Sequence, residues 1–250
     1  MSATPSKPIA AVVLAAGTSS RMGRNKLLFE LGGESVVRRA VRAAIEAGLD
    51  PVIVVLGHDA DAVRAALASM RCRFVVNAQC AEGMNGSARA GIAALPPGVA
   101  AAVVLLADMP FVSAAMLGAL VERYRTGDAL LVVSEYDGVQ APPSLFDSSL
   151  FAELDSEAGR GCPKRMRRRH PEATAVVAWP AAALADLDVP ADYERAKTQL
   201  AAGTCGGLRR LHRRTPAPDF PRRFCYKGRV WTPCSAPKLP PRMRRSRPEP

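Results

Sequence analysis

Apolar positions along this chain alternate between two forms, short unbroken runs and longer runs spaced by three and four. Residues 9–16 read Ile-Ala-Ala-Val-Val-Leu-Ala-Ala, a continuous run of the kind found in a strand covered on both faces. From Ser35 the spacing becomes helical, with Val37, Ala40, Val41, Ala44 and Ile45 on one face and Gly48 placed to end it. The alternation then repeats. It predicts a buried strand at 51–56, a helix capped by Asp59 that carries Val63, Ala66, Leu67 and Met70, a strand at 73–76 and a helix at 85–95. A strand at 101–107, a helix from Ser113 with Leu117, Leu120, Val121 and Tyr124, and a strand at 129–134 follow. Further on the signal weakens. Residues 136–143 are turn-rich, 144–154 read as a short insertion before a helix, 173–179 as a late strand with antiparallel pairing an option, and 192–200 as a closing helix. Strands separated by helices of about 10 to 15 residues predict βαβ units, hence an α/β fold with a doubly wound, mostly parallel sheet and helices on both faces.

The distribution of charge divides the chain. Of 250 residues, 48% are apolar, enough for one medium globular core, and the formal charge is +11. Residues 205–250 hold 13 of the lysines and arginines against two acids, so they carry the whole of that excess, together with nine of the 21 prolines. The expected organisation is a domain at 1–203 and a basic Pro/Arg-rich tail at 204–250, for which disorder is expected. Clusters at Arg209-Arg210, Arg213-Arg214, Arg222-Arg223 and 242–247, with Phe224, Tyr226 and Trp231 among them, also admit a nucleic-acid grip. The composition equally fits a partnerless extension or translation past a frameshift, and nucleic acid is not the expected partner. The six cysteines form no C-x-x-C pair, so a cytosolic thiol inventory without structural disulfides is expected. No apolar run approaches the roughly 18 residues of a membrane span. A cytoplasmic monomer that avoids membranes is the expectation.

Chemistry concentrates where the first strand ends. Leu14-Ala15-Ala16-Gly17-Thr18-Ser19-Ser20-Arg21-Met22-Gly23-Arg24-Asn25-Lys26 begins at the carboxyl edge, where open α/β sheets bind ligands. Gly17 and Gly23 let backbone N–H groups face an anion, and Arg21 and Lys26 add positive charge, which suits the phosphates of a nucleoside triphosphate. Neither a Walker A spacing nor G-x-G-x-x-G is present. Asp108 leaves the strand 101–107 at the same edge, with Pro110 biasing Met109 away from helix. A carboxylate there suits magnesium, which prefers oxygen ligands and substrate phosphates. A strand-end turn or helix cap is the alternative for that residue.

The pattern L-A-A-G-x-S-x-R-M-G-x-x-K resembles the opening of the MobA-like nucleotidyltransferases, and within them most closely the molybdenum cofactor cytidylyltransferases; the guanylyl branch typically has Gly where this chain has Ala16. The resemblance covers nearly all of residues 9–200 and extends to three further stretches. Val103 to Pro110 with Asp108 is one. Asn77 to Ile92, with Asn77 and Ser87, is similar to a stretch that shapes the nucleotide pocket, although Asn85 stands where Gly is usual. Asp186-Leu187-Asp188-Val189-Pro190 is similar to the family's D-I-D-T-P, and by that resemblance Asp188 would be a second magnesium ligand facing Asp108; capping is the better reading for Asp186 and Asp192. Ala141 to Phe146 is similar to the family's P-P-A-L-F turn. Residues 159–164 depart from its G-D-x-G-A-R/K loop, with Arg160 for Asp and Cys162 for Gly, and the basic run 164–169 reads as a solvated helix face.

The resemblance implies a Rossmann-like nucleotidyltransferase fold and Mg2+-dependent transfer from CTP to molybdenum-bearing molybdopterin, with pyrophosphate leaving. Arg21, Lys26 and Asp108 would be catalytic. Leu14, Ala15, Ala16, Gly17, Lys26, Asn77 and Ser87 would hold the nucleotide, Asp108 and Asp188 the metal, and a molybdenum hydroxylase would be the client. His58, His170 and His212 need no catalytic part. Guanylyl transfer, sugar-phosphate nucleotidyl transfer, and a non-catalytic maturation factor for such a hydroxylase remain alternatives.

Overall fold

The computed structural model describes residues 7–17, 24–78, 84–155, 163–202, 224–226 and 229–231. Contacts group the chain into two units, Met1–Gly207 and Leu208–Pro250. In the first, strand β1 (Ile9–Ala15) is buried along its whole length, as its unbroken apolar run requires. A two-stranded hairpin, β2 (Glu30–Leu31) with β3 (Glu34–Ser35), leads into helix α1 (Val36–Glu46). Then come β4 (Val52–Leu56), α2 (Ala60–Ala66), β5 (Arg73–Val76), α3 (Met84–Ala93), β6 (Ala101–Leu106) and α4 (Ala114–Arg125). The second half contains β7 (Leu131–Tyr136), β8 (Val139–Asp147), α5 (Phe151–Asp155), α6 (Pro163–Arg169), β9 (Thr174–Trp179) and α7 (Pro190–Ala201).

Seven strands form one sheet in the order β5-β4-β1-β6-β8-β7-β9. β4 and β6 flank β1 in parallel, so successive connections leave it in opposite directions and open a crevice at its carboxyl end. α3 packs close to this centre: a Cβ on Gly91 would run into Val12 Cγ1 and stand 2.8 Å from Val55 Cγ2. Helix starts vary in their chemistry. Ser113 Oγ accepts from the Met116 N–H at 3.3 Å, whereas Asp59 stands at the start of α2 with φ +58° and no side-chain capping bond.

Two expectations are corrected. Residues 136–143, read as turns, and 144–154, read as an insertion, contain β8, the antiparallel strand between β6 and β7. Its prolines hide it from a pattern reading. The pairing with β7 passes from Val133–Ser144 to Ser134–Ala141, so Pro142 and Pro143 fall in the register shift, where the ladder asks for no N–H. β9, for which antiparallel pairing was open, runs parallel to β7 at the sheet edge. α6 keeps most of its basic residues exposed, as a solvated face would, but buries Met166 and ties Arg167 to Glu135 at 3.2 Å.

The chain after β9 returns across the carboxyl edge. Leu187 and Ala196 are buried with Leu31, Val36 and Phe111, while Tyr193 packs edge-on to Phe29 and donates to the Glu30 carbonyl at 2.6 Å. The segment between β9 and α7 therefore crosses from the edge strand to the centre of the sheet. In the second unit, β10 (Phe224–Tyr226) pairs antiparallel with β11 (Arg229–Trp231). No helix among the described residues is long and apolar enough to cross a membrane.

Candidate functional site

Three charged side chains from distant parts of the sequence meet at the crevice. Asn25 starts a short 3-10 turn, Lys26–Leu28, by accepting from the Leu27 N–H at 3.1 Å, and the turn sends Lys26 inward. Only 8% of Lys26 is exposed. Its Nζ donates to Asp108 Oδ2 at 2.7 Å and to Asp188 Oδ1 at 2.8 Å. Burial disfavours the ammonium, but the charge of Asp108 and the hydrogen bonds to both acids outweigh it, so the Lys26 pKa lies above its ordinary value. The charged form is the resting one.

Each acid is placed by backbone. Asp108 lies two residues past β6, after the Ala107 N–H has bonded to the Leu14 carbonyl at 3.1 Å, and it is 9% exposed. The Leu187 N–H donates to the Asp108 carbonyl at 3.2 Å, which brings Asp188 alongside. Asp192 then fixes the turn: its Oδ2 accepts from the N–H groups of Asp188 at 2.9 Å and Val189 at 2.8 Å, the capping use expected of it. Pro190 at the start of α7 is the residue type a first turn tolerates.

On the other side of β1, Leu14, Ala15 and Ala16 are buried and Gly17 is exposed. Ala16 rests against Gly57, the residue after β4. A Cβ on Gly57 would stand 2.7 Å from Ala16 O and 2.8 Å from Ala16 Cβ. Asn77 continues the edge after β5. Its N–H donates to Leu56 O at 2.8 Å, and its Nδ2 donates to Ser87 Oγ at 3.1 Å, both side chains being buried. Asn77 and Ser87 thus form a second buried polar pair at the base of α3. Arg21 and Gly23 lie outside the described residues.

Of the three histidines, His58 and His170 are described and His212 lies outside the described residues. His58 is mostly exposed, 3.7 Å from Asp59. His170 Nε2 is 2.7 Å from Glu153 Oε2 and ties the end of α6 to α5. Sequence reasoning passed over Gly57, the Leu187–Asp108 backbone bond and the pairing of Lys26 with acids. A signal for Gly57 existed: like Gly17, it is the small residue just beyond an unbroken apolar run.

Residues 11–174 match the profile of the MobA-like NTP transferase domain. The chain belongs to the MobA-like NTP transferase family. As a member of that family it is a nucleotidyltransferase, and the triad of Lys26, Asp108 and Asp188 lies at the carboxyl edge of the family domain's sheet. A probable molybdenum cofactor guanylyltransferase of Opitutus terrae is 35% identical over 61% of this chain and 73% of its own length. The purine catabolism protein PucB of Bacillus subtilis is 31% identical over 73% of this chain and 93% of its own. Among solved structures, the manganese complex of Rv0371C from Mycobacterium tuberculosis is 28% identical, with a TM-score of 0.65 over 76% of this chain and 98% of that one.

Proposed function

We propose that this nucleotidyltransferase transfers a cytidylyl group from CTP to the terminal phosphate of a molybdenum-bearing molybdopterin, with Mg2+ held by Asp108 and Asp188. The observation that carries the reading is the convergence of two carboxylates, 80 residues apart, on one cation at the crevice beside β1. The Lys26 ammonium is a stand-in that tests the fit: oxygen donors from both acids already close on a single positive centre, the donor set that magnesium prefers. Bound there, a divalent cation would neutralise and polarise triphosphate oxygens.

The remaining work falls to the chain itself. The backbone after Gly17 and the side chains of Arg21 and Lys26 bind and orient the phosphates, and Asn77 and Ser87 anchor the wall of the pocket at α3. An acceptor phosphate oxygen forms a bond to the α-phosphorus as the bond to the bridging oxygen breaks, and the electron pair leaves with pyrophosphate. The acceptor phosphate is ionised at neutral pH because its second pKa is about 6. No side chain has to take its proton. Positioning and charge neutralisation are then the main contributions to rate.

Ala16 favours CTP, through the resemblance of L-A-A-G to the cytidylyl branch. A guanylyl reading has its own support in the Opitutus terrae relative. Pyrophosphate release with CTP, GTP and ATP, each with molybdopterin acceptor, separates them. The expected order puts CTP first; preference for GTP would move the assignment to the guanylyl branch, and no release with any nucleotide would remove the reaction. The client is proposed to be a molybdenum hydroxylase, tested by activating its apo-form with the product. Residues 204–250 are proposed to be dispensable, so a 1–203 chain should match the full chain in this assay.

A further inference from the structure

Lys26 cannot hold both acids and leave them open to a metal. Its Nζ already sits between Asp108 Oδ2 and Asp188 Oδ1 at 2.7 and 2.8 Å, and a small divalent cation bound to both acids at about 2.0–2.1 Å would bring a second positive centre into the same narrow space. Two positive centres that close repel strongly in so buried a place. Occupation by ammonium and occupation by metal are therefore alternatives.

We infer that Lys26 is an exchangeable counter-ion, which keeps the divalent cation out of the Asp108–Asp188 pair until a triphosphate draws the ammonium away. The inference rests on the reading that a triphosphate and a metal meet at this site. Lysine suits the exchange because its ammonium is a point charge on a flexible four-carbon stem, with three donors that serve phosphate as well as carboxylate. Its root also suits it: Lys26 opens the short 3-10 turn Lys26–Leu28, which Asn25 caps, so its stem starts from a fixed point beside the acids. In the resting protein the ammonium does structural work, since without it two carboxylates would face each other across the contact that holds the segment after β9 to β6. Once a triphosphate is present, the same ammonium pairs with phosphate and the acids are released to a cation. Nucleotide and metal then bind with positive coupling, and by reciprocity each tightens the other by the same factor.

The test is Mn2+ binding to the full-length protein, read by EPR of the free ion, with and without α,β-methylene-CTP, which cannot be cleaved at the reacting bond. Wild type without nucleotide should bind Mn2+ weakly. Lys26→Met, neutral and of similar length, should bind it at least tenfold more tightly without nucleotide, and the nucleotide's enhancement of Mn2+ affinity should shrink. Lys26→Gln provides a second neutral variant should the methionine protein fail to fold, with circular dichroism checking both. Mn2+ binding to a folded neutral variant that is no tighter than to wild type would overturn the exchange, as would nucleotide-free wild type that binds as tightly as the variant. Adding Asp108→Asn to the Lys26 variant separates this failure from that of the proposed function. Binding that survives the second substitution means that the acids are not the metal site, whereas Asp108-dependent binding indifferent to Lys26 overturns the exchange alone.

Discussion

Gly57→Ala adds one methyl group against Ala16, the residue directly after β1. The position has no left-handed backbone to explain its glycine; the need is for space. The new Cβ would stand 2.7 Å from Ala16 O, 2.8 Å from Ala16 Cβ and 2.9 Å from Ala16 Cα, where ordinary contacts begin at 3.4 Å. Backbone atoms cannot rotate away, so Ala16 or the end of β4 must shift by about 0.7 Å to bring the closest contact to 3.4 Å, an overpacking expected to cost ~1–3 kcal/mol of stability. That shift exceeds the roughly 0.5 Å within which a binding constellation has to be held. A misplacement of 1 Å can cost about a hundredfold in rate, so kcat/KM for the nucleotide should fall about tenfold. Gly118 is the matched control: it lies in α4 with nothing within 4 Å of its added Cβ. Gly118→Ala should leave kinetics unchanged and add up to about 1 kcal/mol of stability through helix propensity. The assay is pyrophosphate release over a range of nucleotide concentrations, paired with urea denaturation. A folded Gly57→Ala protein with wild-type kcat/KM and an unchanged midpoint would refute the packing argument.

Three further outcomes follow from the same geometry. Gly91→Ala should destabilise by about 1–3 kcal/mol, because the crowding against Val12 and Val55 exceeds the helix-propensity gain; a midpoint at or above that of wild type in urea would count against it. Tyr124 donates to Asp147 Oδ2 at 2.5 Å, and burial, then that bond and the Asp147 charge, push its pKa up to about 12. The folded state therefore holds the phenol proton more tightly than the unfolded chain, with its pKa of about 10. This contribution is whole below pH 10 and is lost as pH rises through about 12. Tyr124→Phe should be less stable by about 1 kcal/mol at pH 8, with the deficit narrowing at pH 12, as seen in urea melts at both. Asp192→Ala should cost about 1 kcal/mol through loss of the cap and lower nucleotide turnover by loosening Asp188; unchanged turnover would show that the turn is held by other contacts.

The elements whose residues point one way were legible in the sequence. β1, β4 and β6 are uninterrupted apolar runs buried on both faces, and α1 carries its stripe at helical spacing. β8 was not legible, because Pro142 and Pro143 argue locally for a turn, and only the register shift with β7 shows how a strand accommodates them. At the site, Asp108 and Asp188 were named from the motifs and the structure brings them together through Lys26. Spacing along the chain could not show that the lysine expected on phosphate rests on the acids, since that depends on a return crossing by the segment after β9. Helix lengths moved for a similar reason: Leu67 belongs to the apolar pattern of α2 yet lies buried in the turn after it.

That return crossing makes the site depend on the whole of the chain as far as α7. Lys26 and Asp108 follow from adjacent strands at the centre, while Asp188 lies beyond the edge strand β9, where the chain has come back and Leu187 and Ala196 are buried. A chain ending near residue 179 would carry every strand of the large sheet and lack the triad. The triad is thus closed by a contact that joins residues 162 apart in the sequence, Lys26 and Asp188, and that the sheet alone does not supply. A ligand held there would grip the segment after β9 and tie it to the centre of the sheet.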